Sequence, residues 1–131
     1  MEDSILIEIL KEVQKRYNCI VEIERITRDM GDSLSRNDRE SVQLLLGMRQ
    51  EEMDKADLCT RNMEYLVSAL PPEEGFKVRG WMKGNANITP DTPAAAMLLE
   101  KGKNIHSALK RTIELDRYIS IRLSGKDSYY Q

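Results

Sequence analysis

Apolar residues recur at helical spacing in three long stretches of the chain. Leu6, Ile9, Leu10, Val13, Tyr17, Ile20, Ile23 and Met30 form the first stripe. Val42, Leu45, Leu46, Met53, Ala56, Cys59, Met63 and Val67 form the second; Leu98, Leu99, Ile105, Leu109, Ile113, Ile119 and Leu123 form the third. Residues three and four apart share one face of a helix, so these stripes predict amphipathic helices over about 3–33, 38–70 and 93–124. The stripes are not clean. Arg16, Glu24 and Thr27 interrupt or flank the first, and Arg49 and Glu52 fall on the second.

Punctuation between the stripes sets the expected architecture. Asn37 followed by Glu40 resembles a capping box, with Asn37 accepting from orphan amides and Glu40 reaching back. Pro71-Pro72 closes the second helix, because proline has no amide hydrogen and drives its predecessor out of helical geometry. Two helices of matched length joined by a short turn give an antiparallel hairpin. Thr92-Pro93 opens the third helix with a hydroxyl cap and proline in the first turn, and Gly125 is its expected C-terminal cap. Gly102, inside that helix, costs about 1 kcal/mol relative to alanine on propensity alone.

Residues 71–92 lie between the second and third helices. Gly75, Gly80, Gly84 and Pro90 punctuate them, which predicts a long irregular linker with at most a helical turn around Lys77–Lys83. Fully extended, they span about 70 Å. Phe76, Trp81 and Met82 sit here, either as a strap docked on the helices or as an exposed hook. The expected fold is all-α: an antiparallel bundle of three long helices with this linker before the last, in a single domain over 1–131.

Composition narrows the function classes. Of 131 residues, 32% are charged and 5% aromatic, which suits solvated helices better than an α/β enzyme. The net charge of −2 argues against nucleic-acid binding driven by total charge. Cys19 and Cys59 lack the spacing of a metal-binding pair and fall near the apolar stripes, so buried, inert thiols are expected. His106 is the only histidine and has no Glu-x-x-His partner motif around it. No catalytic residue, metal or cofactor is expected. Acids in the opening MEDSILIEIL, and the absence of any run of about 18 apolar residues, predict a cytosolic protein.

The last segment is basic. Lys101, Lys103, Lys110, Arg111, Arg117, Arg122 and Lys126 stand against Glu114 and Asp116. Such a face either recruits an acidic partner, nucleic acid included, or pairs with the acidic first two helices. Tyr118, Tyr129 and Tyr130 add side chains that suit interfaces.

The order of these pieces resembles a known family. A turn carrying Arg36-Asn37-Asp38 opens a helix with Val42, Leu45, Leu46 and Arg49. GFKVRGWM then follows Pro71-Pro72, and a last helix, KNIHSALKRTIELDRYISIRLSG, leads into a tail with Tyr129. In this it is similar to the FlgN family of flagellar export chaperones, over nearly the whole chain. The resemblance implies a small cytosolic helical protein that binds C-terminal segments of hook-associated proteins. Such a protein prevents their premature assembly and delivers them to the flagellar export apparatus, with no nucleotide or metal. It further implies partner contacts on the last helix near Leu115, Tyr118, Ile119, Arg122 and Tyr129. The competing expectations are a self-associating helical adaptor and, less favoured, a nucleic-acid-binding protein using the basic last helix.

Overall fold

The computed structural model describes residues 3–127, and these form four helices: α1 (Asp3–Ser35), α2 (Arg39–Ser68), α3 (Pro72–Met82) and α4 (Pro93–Asp127). The all-helical class is as the stripes predict, and no strand occurs among the described residues. At a rise of about 1.5 Å per residue, α1 is a rod of roughly 50 Å.

α1 is the central helix, packed along both α2 and α4, while α3 packs mainly on α4 and touches α2. Cross-helix bonds give the directions. Asn62 Nδ2 donates to Glu12 Oε1 (3.1 Å) and Arg49 Nη1 to Thr27 Oγ1 (3.3 Å), so α2 runs antiparallel to α1. Lys101 lies over the Tyr17 ring, Arg111 Nε donates to Glu24 Oε2 (3.0 Å), and Arg122 Nη1 donates to Ser35 Oγ (3.1 Å). The pairs rise together, so α4 runs parallel to α1. It therefore runs antiparallel to α2, a direction that the sequence leaves open. Residues 71–92 do not carry the chain back along the bundle. They stay at the end where α2 stops and α1 starts, so α4 begins where α1 begins.

The α1–α2 turn differs by one residue from the capping box. Asn37 takes the left-handed conformation (φ 58°) just past α1. The Asn37 amide donates to Leu34 O (3.0 Å) and the Asp38 amide to Ser33 O (2.9 Å), the paired bonds of a Schellman closure. Asp38, not Asn37 with Glu40, then caps α2. Its Oδ1 accepts from the Ser41 amide (3.1 Å) and its Oδ2 from Ser41 Oγ (2.6 Å). The side-chain bond from Ser41, and then the amide bond, hold the Asp38 carboxyl below the ordinary aspartate range. A depressed folded value means a contribution that is full above about pH 3.9, the unfolded value, and lost as pH falls through the folded one. Asp38→Asn should therefore melt below the parent at pH 6 and lose less on acidification below about pH 4. Thermal melts of both proteins across that window check this, and parallel curves would remove the linkage.

The region 71–92 is ordered by a helix the glycines concealed, which corrects the irregular linker. Gly75, Val78 and Trp81 form the buried face of α3 at three-residue spacing. Trp81 is fully buried, and its Nε1–H donates to Ile88 O (2.8 Å). Gly84 (φ 78°) ends α3 with the same closure seen after α1: its amide donates to Trp81 O (2.9 Å) and that of Asn85 to Gly80 O (2.9 Å). Thr92 Oγ1 then accepts from the Ala95 amide (3.1 Å), the cap predicted at Thr92-Pro93. Of the three apolar linker residues, Trp81 docks, Met82 is half-buried and Phe76 is exposed. At the other end α4 runs through Gly125 to Asp127, so Gly125 is not its cap.

The core falls into two clusters. The larger lies where all four helices meet and includes Leu6, Ile9, Val13, Val67, Val78, Trp81 and Leu98. The smaller, at the α1–α2 turn, contains Ile26, Met30, Leu34, Val42 and Ile119. Polar residues lie between them. Glu24 and Thr27 are buried, and Arg49 reaches Thr27 and, at 2.6 Å, Asp116 Oδ1.

Candidate functional site

α2 and α4 flank α1 without packing on each other as closely as each packs on α1. A cleft of about 300 Å³ lies between them. Its floor is α1, through Arg16, Ile20 and Ile23. One wall is α2, through Arg49, Met53, Ala56, Asp57 and Thr60, and the other is α4, through Leu109, Thr112, Ile113 and Asp116. Three long amphipathic helices leave a trough where a fourth would complete a bundle.

The interruptions in the stripes belong to this cleft. Arg49 lies in the apolar stripe of α2 because its side chain crosses the cleft to Asp116 on α4. Thr27 Oγ1 donates to Ile23 O (2.7 Å) and accepts from Arg49, so this fully buried hydroxyl is satisfied. Glu24, also buried, accepts from Arg111 Nε (3.0 Å) and Nη2 (3.3 Å) and from Arg28 Nη2 (3.4 Å). The Glu24 bonds in turn raise the Arg111 value above the ordinary arginine range. One residue of the basic last helix thus pairs with acidic α1, as one reading of that face expects.

The thiols are buried and free. Burial is the main cause pushing both upward, reinforced at Cys19 by Glu52 and at Cys59 by Glu12. Thiolate is therefore disfavoured at neutral pH. His106 is exposed. Among the described residues no group of three or more His, Cys, Asp or Glu is placed to hold a metal ion, and no helix is long and apolar enough to cross a membrane.

The residues that the family resemblance implied do not form one surface. Ile119 is buried in the smaller core cluster and Leu115 packs against that cluster. Tyr118 is exposed, with the Arg122 guanidinium 5.8 Å from its ring centre. Tyr129 and Tyr130 lie outside the described residues, as does the side chain of Leu123. Ile113, Met53, Arg16 and Arg49 were legible as stripe members or stripe breaks but not as one site. Their common feature is a cleft that only the placement of α4 creates. Comparison of the chain with family models, with curated proteins and with solved structures finds no match.

Proposed function

We propose that this chain is a non-enzymatic binding protein, a cytoplasmic export chaperone of the FlgN kind. It holds the C-terminal segment of a hook-associated protein as an amphipathic helix in the α2–α4 cleft, keeps that segment from assembling early and hands it to the export apparatus. The observation that supports this is the trough itself, whose exposed apolar side chains include Ile113 and Met53. An amphipathic helix laid into such a groove buries its own stripe there. Ordering a disordered segment costs several kcal/mol, so the expected affinity is about micromolar, weak enough for release.

Calorimetric titration with the C-terminal segments of hook-associated proteins and flagellin from the same organism tests this reading. One-to-one binding to a hook-associated segment is expected. Ile113→Asp should weaken it at least about tenfold with the helical circular dichroism unchanged, since the side chain is more than half exposed and a charge there opposes only the docked stripe. Binding to no segment would overturn the client assignment. Binding indifferent to Ile113→Asp would move the site off the cleft.

One observation favours a second reading, self-association. Leu44, Leu58 and Tyr65 stand seven residues apart or at multiples of seven on α2, and all are more than half exposed. Light scattering that shows a monomer at every concentration removes it.

A further inference from the structure

Two arginines line the cleft, and they differ in one respect. Arg49 is ion-paired with Asp116. Arg16, on the floor beside Ile20 and half-buried, has no hydrogen bond or ion pair among the described residues. One carboxylate acts on its charge, and a second stands one turn away in sequence. Asp57, on the α2 wall, favours the Arg16 charge but is not in ion-pair contact with it. Glu12, one turn upstream on α1, accepts from Asn62 through Oε1, while its buried Oε2 has no hydrogen-bond partner. Arg16 therefore stays on the floor without using the acceptor one turn away. Burial is the largest influence on it and opposes its charge. A partly desolvated cation facing apolar walls favours whatever brings it an anion.

Resting on the cleft reading above, we infer that Arg16 is a carboxylate receptor, and that the helix filling the cleft carries an Asp or Glu within its apolar stripe. The planar guanidinium can take both oxygens of one carboxylate. Ile20, Ile23, Ala56 and Leu109 line the same cleft and require apolar residues on the rest of that helix's docked stripe. Asp57 on the α2 wall disfavours a multiply charged anion such as a phosphate, so one side-chain carboxylate is the charge that fits. Arg16 thereby fixes the register of the docked helix.

The probes are three fluorescein-labelled 18-residue helical peptides with the same Leu/Ala stripe. One has Glu in mid-stripe, one has Gln there, and the third carries the Glu on its polar face. Anisotropy titrations of the full chain should show the mid-stripe Glu peptide binding about tenfold tighter than the Gln peptide, the order expected of a charge-assisted hydrogen bond. The third peptide should gain nothing over the Gln peptide. Arg16→Gln should abolish the preference, and Glu12→Gln should leave it in place. If Arg16→Gln does not fold, Arg16→Met carries the same comparison. Equal binding of the Glu and Gln peptides to the parent, or a preference that survives loss of Arg16, overturns the receptor and leaves the cleft reading standing. Binding of none of the peptides overturns both.

Discussion

Gly102→Ala should lower the stability of this protein by about 2–3 kcal/mol, although alanine is the better helix former by about 1 kcal/mol. An ideal Cβ at position 102 would lie 2.1 Å from Trp81 O, 2.8 Å from Met82 O and 2.9 Å from the Gly84 amide nitrogen. All three are backbone atoms at the C-terminal end of α3, so none can swing aside as a side-chain tip would. The methyl group must push α3 and α4 apart where Trp81 holds them together. For a chain of this size the expected fall in melting temperature is roughly 10 °C. Gly47 is the internal control. It is exposed in α2 with nothing within 4 Å of the added Cβ, so Gly47→Ala should gain up to about 1 kcal/mol. A rise in melting temperature for both variants would mean that α3 and α4 do not cross this closely.

Position 102 also shows what the sequence could and could not reveal. Within one isolated helix a glycine is only a loss, and its use appears when another backbone is laid against it. The same holds for α3. Gly75 and Gly80 read as breakers, yet Gly75 lies on the buried face with Val78 and Trp81, and a Cβ on Gly80 would meet Ile88 Cδ1 at 2.3 Å. Eleven residues with so few apolar positions give little periodicity to detect. The long helices were legible because 30 or more residues repeat one pattern, and their ends at Thr92-Pro93 and near Pro71 are set by local chemistry. The cap was displaced by one residue because Asn37 and Asp38 are both good caps by type, and the left-handed turn at Asn37 decides between them. The direction of α4 depended on whether residues 71–92 reach along the bundle or fold at its end. That is a tertiary choice made by burying Trp81. The cleft inherits this choice, so Arg16 and Arg49 could be recognised as breaks in a stripe but not as floor and wall of one groove.

Trp81→Ala should be the most damaging single side-chain truncation at the α3 end, costing about 3–5 kcal/mol. The indole is fully buried, lies in the larger core cluster and is tied to the loop through Ile88 O. Trp81→Phe separates the two contributions. It keeps most of the packing but strips Ile88 O of the indole donor, a loss of about 1–3 kcal/mol. Folded chains of this size have stabilities of roughly 7–20 kcal/mol, so Trp81→Ala should remain mostly folded at low temperature while melting about 15 °C earlier. No residue of α3 lines the cleft. At low temperature Trp81→Ala should therefore bind the mid-stripe Glu peptide as the parent does, whereas Ile113→Asp should lose the peptide without losing stability. Parallel melts and anisotropy titrations of the two variants check this pairing. Binding lost with Trp81 would mean that α3 sets the position of the α4 wall, and that the width of the cleft is controlled from the end of the bundle where α3 is held.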